Sequence, residues 1–188
     1  MFNQQIDRNM EVYVDNMLVK SKEELTHLDD LKETFATLKK YQMRLNPSKC
    51  VFGVVSGKFL GFMVSQRGIE ANPEKMRAII NMASPRTVKE VQKLTGRIAA
   101  LNKFVSRATD KCLPFFKTLK QAFTWTDECE AAFQELKRYL SSPSLLSLSK
   151  EGEDLYLYLA VSASAVSAAL IREEGTKQLP VYYVSQAF

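Results

Sequence analysis

Apolar positions crowd residues 10–19, MEVYVDNMLV, and yield once, at Asp15–Asn16. Val, Tyr, Met and Leu favour strands, and Asp and Asn tolerate a tight turn. The stretch therefore predicts a hairpin of two short buried strands with its turn at Asp15–Asn16. Ser21-Lys22-Glu23-Glu24 has the spacing of a capping box. Leu25, Leu28, Leu31, Phe35 and Leu38 then recur on one helical face. His27 lies off that stripe and is expected to be solvated. Residues 50–71 read as a small β-unit with turn signals at Ser56–Gly57 and Arg67–Gly68. Asn72-Pro73-Glu74 starts a short helix that Ser84–Pro85 ends, and Thr87 with Glu90 starts another. Further helices are expected near 109–121 and 127–141. Pro143 breaks the pattern, and SSPSLLSLSKEGED is the expected boundary. Three strands follow, over LYLYLAVSASAVSAALIRE and PVYYVSQAF.

The third of these helical segments is two-faced. Over residues 86–107, Val88, Val91, Leu94, Ile98, Leu101 and Val105 gather on one side of a 100° wheel. Lys89, Lys93 and Arg97 stack on the other, with Lys103 near them and Arg107 beyond. Cations spaced about 6 Å apart suit a phosphate backbone; an ordinary solvated face is the plainer alternative. Charge changes this picture. The chain of 188 residues carries +5 overall. Residues 73–120 carry +8, from eleven bases against three acids, and the remainder is −3. A local excess of this kind points to a polyanionic partner for one region.

Composition excludes other classes. At 46% hydrophobic and 25% charged residues the chain reads as globular, and no apolar run is long enough to span a membrane. Residues 1–20 contain Asp7, Arg8, Glu11 and Asp15, so no signal-peptide core is present. Cys50, Cys112 and Cys129 form no CxxC pair and no cluster with His27, the one histidine. They read as small core residues of a reduced, intracellular chain, cytoplasmic or nuclear.

The acid at the hairpin tip has two explanations. Asp-Asn is an acceptable two-residue turn. It is also an oxygen ligand of the kind Mg²⁺ prefers, and paired metals can drive strand synthesis. Tyr13-Val-Asp-Asn16, with EV before it and MLVKS after it, resembles the YxDD box of reverse transcriptases. HLDDLKETFATL, LNPSKCVFG, KFLGFMVSQRGIEANPEKMRAI, KEVQKLTGRIAALNKFVS, FTWTDECEAAFQELK and PVYYVSQAF follow in order. Together they resemble the pol region of plant gypsy-type LTR retrotransposons.

The resemblance implies an α+β fold. A partial palm β-unit with its helix would occupy 1–71, a helical basic thumb 72–120, a helix and linker 121–149, and a truncated connection or RNase H-like sheet 150–188. It makes Asp15 the ligand of Mg²⁺ or Mn²⁺ and Asn16 a degenerate second catalytic position. At an effective dielectric near 20, the lost charge is worth roughly 8 kcal/mol gross. The family's upstream aspartate and nucleotide-holding fingers have no counterpart here. One of three expected carboxylates remains, so weak metal binding and no polymerisation by the isolated chain are expected. The thumb would grip an RNA/DNA primer–template duplex through Lys89, Lys93, Arg97, Lys103 and Arg107. Phe59-Leu60-Gly61 would form a primer-contacting turn, although Gly61 serves equally well in a bulge or tight bend. The first RNase H strand would place an aspartate where Ala160 stands, and no acid occurs from Leu155 to Ile171. RNase H activity is therefore expected to be absent. Leu155, Leu157, Leu159 and Val161 would face a core, and an apolar edge would stay exposed. The function implied is a partial RNA-directed DNA polymerase segment of a retrotransposon polyprotein, with an N-terminal polymerase half as a further partner and no membrane. The alternative is a non-catalytic nucleic-acid-binding or structural remnant of a transposable element.

Overall fold

The computed structural model describes residues 1–120, 123–142 and 145–188, with the backbone alone for Lys120. Helices and antiparallel sheets mix in an α+β arrangement, as the resemblance implies. The chain divides into two compact units, Met1–Leu60 and Gly61–Phe188.

In the first unit, β1 (Met10–Tyr13) and β2 (Asn16–Val19) form an antiparallel hairpin from Met10↔Val19 to Tyr13↔Asn16. Asn16 thus opens β2, and the two turn residues are Val14 and Asp15, not Asp15 and Asn16. Val14 adopts φ 55°, a left-handed geometry costly for a β-branched side chain, and is 86% exposed. The strands are not buried on both faces either, since Val12 and Tyr13 are exposed.

Helix α1 (Glu24–Lys40) begins at an N-cap, Glu23, that makes no side-chain capping bond. The expected capping box does not form, because the Ser21 hydroxyl is used elsewhere. It donates to Asp30 Oδ2 at 2.5 Å and lies 3.0 Å from His27 Nδ1. His27 is consequently half-buried rather than solvated. Asn9 Nδ2 donates to the other Asp30 oxygen at 2.6 Å. The bonds from Ser21 and Asn9 hold the Asp30 carboxyl below the usual carboxylate range.

The apolar stripe of α1 is buried only in part. Leu25, Leu28 and Phe35 are exposed, while Thr34 and Leu38 are buried. The N-terminal loop seats the helix by polar contacts: Gln5 Nε2 donates to Thr34 Oγ1, and Arg8 pairs with Glu33. Leu38 joins Phe2 and Met10 in a small core, flanked by Met17, Val19 and Leu45. Strand β3 (Ser56–Phe59) closes the unit. Ser56–Gly57 is part of this strand, so the turn expected there lies instead at Leu60–Gly61, where both residues have positive φ.

The second unit begins with the hairpin of β4 (Phe62–Ser65) and β5 (Gly68–Ala71). Gly68 cannot carry a side chain. Its φ is 136°, and an added Cβ would lie 2.1 Å from the Leu146 carbonyl oxygen. That close approach lets Leu146 and Ile69 exchange backbone bonds of 2.9 and 3.0 Å.

Asn72 caps α2 (Pro73–Ile80) by accepting from Glu74 N, and Thr87 caps α3 (Val88–Ala99) by accepting from Glu90 N. Glu90 reaches back to Arg86 N rather than to Thr87. Helix α3 stops at Ala99, so the 86–107 segment is not one helix. Leu101 and Val105 reach the core from a 3₁₀ turn over Asn102–Phe104. Helices α4 (Ala108–Lys120) and α5 (Asp127–Ser141) follow; α4 packs on α3 and α5, and α2 on α5.

Val91, Leu94, Ile98, Phe104, Phe115 and Phe133 lead a single core in this unit. Trp125 stacks on Phe115 at 5.7 Å and meets Phe133 edge-on at 6.0 Å. Pro143, read as a breaker, lies outside the described residues.

Strands β6 (Leu155–Val161), β7 (Ala165–Glu174) and β8 (Lys177–Ala187) form a meander in that order, with a register shift at Leu170/Ile171. β6 is exposed along its whole length, on both faces, so Leu155, Leu157, Leu159 and Val161 do not pack into a core. Among the described residues it pairs only with β7, and the core of the unit is made mostly by residues of the helices. The sheet is fastened to α4 by Thr109 N donating to Ser185 Oγ and by the Ser162 hydroxyl donating to Asp110. Among the described residues, no helix is long and apolar enough to cross a membrane.

Gly68→Ala is expected to cost more than about 2 kcal/mol, because it combines backbone strain with a steric clash. Leu38→Ala should cost about 2–5 kcal/mol, and Leu28→Gln should stay within about 0.5 kcal/mol; urea unfolding measures all three. Cys112 and Cys129 are buried and Cys50 is half-buried. Burial pushes the Cys112 thiol up to about 12. A thiol reagent at pH 8 should therefore modify Cys50 in the native protein, and all three cysteines only after denaturation.

Candidate nucleic-acid interface and metal-facing turn

The hairpin projects Asp15 into solvent. Its Oδ1 accepts a hydrogen bond from Asn16 Nδ2 at 3.2 Å. The neighbouring amide thus offers the carboxylate an N–H rather than a second oxygen directed at a shared cation. A cavity of about 290 Å³ beside the turn is lined by Phe2, Ile6, Val12, Met17 and Met43, with Asn3 as a further polar side chain. Among the described residues, no three His, Cys, Asp or Glu side chains come together as a metal site. A pair of Mg²⁺ or Mn²⁺ ions needs several carboxylate oxygens. The donors at this turn are one carboxylate and one amide, and they do not fit that requirement.

The basic segment has a firmer framework. Val91, Leu94 and Ile98 are buried on α3, and this ridge fixes the opposite face outward. Lys89 and Lys93, four residues apart, are exposed there. Arg97 departs from the expected stripe. It is half-buried, and its Nη1 donates to the Ala78 carbonyl at 2.6 Å. That carbonyl is one of the last four of α2 and lacks an intrahelical partner, so the guanidinium satisfies the end of α2. Lys103 lies on the 3₁₀ turn after α3, off the helical stripe, and is exposed. Arg107 has φ 52° and pairs with Asp110 at 3.0 Å. Two of the five cations thus have structural partners, and Lys89, Lys93 and Lys103 are free of ion pairs among the described residues.

At the expected primer-contacting turn, Phe59 ends β3, and Leu60 and Gly61 have φ 51° and 79°. Gly61 is therefore demanded by turn geometry, whatever approaches it. Ala160 lies on exposed β6, opposite Ser167 on β7. Sequence reasoning did not single out Phe62, Lys75 or Tyr182. These three gather around Lys103, since Lys75 and Lys103 each lie over the Phe62 ring and Lys103 also over Tyr182. Lys75 was legible only as one of eleven bases; the two rings are too far apart in sequence to be read as neighbours.

Residues 1–64 match the family model described as reverse transcriptase (RNA-dependent DNA polymerase). Residues 125–188 match that of the RNase H-like domain found in reverse transcriptase. Over 179 residues the chain is 29% identical to the retrovirus-related Pol polyprotein from transposon 412 of Drosophila melanogaster, covering 94% of this chain and 14% of that one. It is 28% identical over 176 residues to the transposon Tf2-7 polyprotein of Schizosaccharomyces pombe, covering 92% and 13%. The chain thus spans about one seventh of the length of these relatives. Among solved structures, the foamy viral protease-reverse transcriptase in complex with dsDNA superposes with a TM-score of 0.81 at 24% identity, over 96% of this chain and 38% of that one. The same viral protein in complex with RNA/DNA hybrid gives 0.81 at 23%, over 100% and 26%. These two share the fold. The chain is a partial reverse-transcriptase segment continued by an RNase H-like one, corresponding to a stretch of transposon polyproteins.

Proposed function

We propose that this chain grips an RNA/DNA primer–template duplex within an RNA-directed DNA polymerase whose remaining metal-holding carboxylates come from outside the residues described here. The observation that carries the reading is the orientation of α3. Its apolar ridge is buried at Val91, Leu94 and Ile98, so Lys89 and Lys93 are presented outward on a segment carrying +8. The similar viral enzymes, solved with dsDNA and with RNA/DNA hybrid, support a duplex as the ligand. Lys103 adds a cation from the 3₁₀ turn beyond the helix, and Arg97 and Arg107 contribute by shaping the surface. Phe59-Leu60-Gly61 presents a tight turn to the primer strand. The ordered motifs support a plant gypsy-type LTR retrotransposon as the source, with the palm over 1–71, thumb over 72–120, linker over 121–149 and RNase H-like module over 150–188. An N-terminal polymerase half is the protein partner. The cysteine pattern supports an intracellular location, cytoplasmic or nuclear.

Asp15 is the metal-facing residue, and it binds Mg²⁺ or Mn²⁺ weakly. Its exposure sets the scale: in water a divalent ion and one added negative charge at about 4 Å gain roughly 2 kcal/mol, well below the gross figure for a less polar site. The amide N–H that Asn16 turns toward Asp15 favours the second reading, a non-catalytic nucleic-acid-binding or structural remnant. With Ala160 on β6, the RNase H-like module contributes structure and not cleavage.

Two measurements test these readings. The purified chain should bind a labelled RNA/DNA hybrid with a steep salt dependence, and Lys89→Glu with Lys93→Glu should weaken binding and lower the logarithmic salt slope by about 1.8. Unchanged affinity and slope would remove α3 from the interface. Primer extension with Mg²⁺ or Mn²⁺ should not rise above an Asp15→Ala control. Asn16→Asp should tighten Mn²⁺ binding about thirtyfold by titration, while leaving extension at background.

A further inference from the structure

A second cationic feature is built from residues outside α3. Phe62 opens β4, and its ring leans on buried Phe104 at 5.6 Å and 54°. The Lys75 ammonium, from the first turn of α2, lies 6.0 Å from the Phe62 ring centre. The Lys103 ammonium, from the 3₁₀ turn, lies 5.7 Å from the same centre and 5.7 Å from that of Tyr182 on β8. Four separate elements therefore converge on one spot. Gly61 makes room for it, since a Cβ there would lie 2.8 Å from Lys75 Nζ.

Neither lysine is in an ion pair among the described residues. Ring faces attract an ammonium but carry no net charge, so two like charges sharing Phe62 stay unneutralised. Solvation and salt lessen their repulsion without removing it. An anion placed between them would be favoured. A nucleic-acid strand offers successive anions, and the segment that carries both lysines has a net charge of +8. An isolated small anion would use only one such point.

We propose that Lys75 and Lys103, held over Phe62 and Tyr182, form a second phosphate-backbone contact for the bound nucleic-acid strand. This rests on the reading of the chain as a duplex-gripping segment and adds a subsite to it. Lys103 belongs to this cluster through its ring contacts. Phe62 and Tyr182 are positioning residues that hold the two ammoniums in place.

The test is anisotropy of a fluorescein-labelled RNA/DNA hybrid with the whole chain between 50 and 300 mM salt. Lys75→Gln/Lys103→Gln should lower the logarithmic salt slope by about 1.8, as should Lys89→Gln/Lys93→Gln, and the four-site variant by about 3.6. Lys75→Arg/Lys103→Arg should retain the slope. A flattened slope in the α3 pair alone would overturn the second contact and leave the duplex reading standing. No change in either pair would overturn both. If the double variant melts early, Lys75→Gln and Lys103→Gln are measured singly, each losing about 0.9. Inorganic tripolyphosphate should compete only weakly. Displacement of the hybrid by polyglutamate from the wild type but not from the double variant would assign the patch to an acidic protein and overturn the proposal.

Discussion

The burial of Val91, Leu94 and Ile98 is the contact on which the outward face of α3 depends. These side chains fix the rotation of α3 about its own axis, and the cations of the other face follow without further design. The caps at each end then fix its length. Thr87 begins the helix, and the chain leaves it at Ala99 for a 3₁₀ turn that sends Leu101, Phe104 and Val105 inward. Packing thus decides which cations are available. Lys89 and Lys93 stay in solvent, while Arg97 is drawn to the end of α2, where a carbonyl needs a donor. A guanidinium in that place costs the surface one charge and secures the α2–α3 corner.

The first unit shows the opposite balance. Its hairpin is short, its turn holds a β-branched residue in a left-handed conformation, and its core is small. Polar bonds from Gln5, Arg8 and Asn9 seat α1 and leave Leu25 and Leu28 outside. At the tip, one carboxylate and the amide beside it offer too little negative charge for paired divalent ions. The chemistry implied by a YxDD-like box therefore depends on oxygens that this site does not itself assemble.

Most of the fold was legible wherever local signals agreed with one another. Asn72-Pro73 and Thr87 started helices where expected, and the three C-terminal strands lie where apolar residues crowd. What misled was a local rule overridden by a distant partner. Ser21 has the spacing of a cap, but Asp30 takes its hydroxyl. Leu155, Leu157, Leu159 and Val161 alternate as a core strand does, yet the helical core lies elsewhere and β6 is solvated on both faces. Gly68 read as a turn residue; its stricter requirement comes from Leu146, nearly eighty positions away. At the site, periodicity put Lys89 and Lys93 on the outer face of α3, but it could not show that Arg97 turns to the end of α2. The gathering of Phe62, Lys75, Lys103 and Tyr182 was not legible, because no local pattern links those positions.

The proposed function requires α3 to face the nucleic acid. Photocrosslinking from a benzophenone placed on cysteine at position 93 in a Cys50→Ser background, compared with one at position 39 on α1 in the same background, tests this most directly in the presence of an RNA/DNA hybrid. Crosslinks from position 93 that fade as salt is raised, with background yield from position 39, are the predicted result. Equal yields from both positions, or yield from position 39 alone, would contradict it.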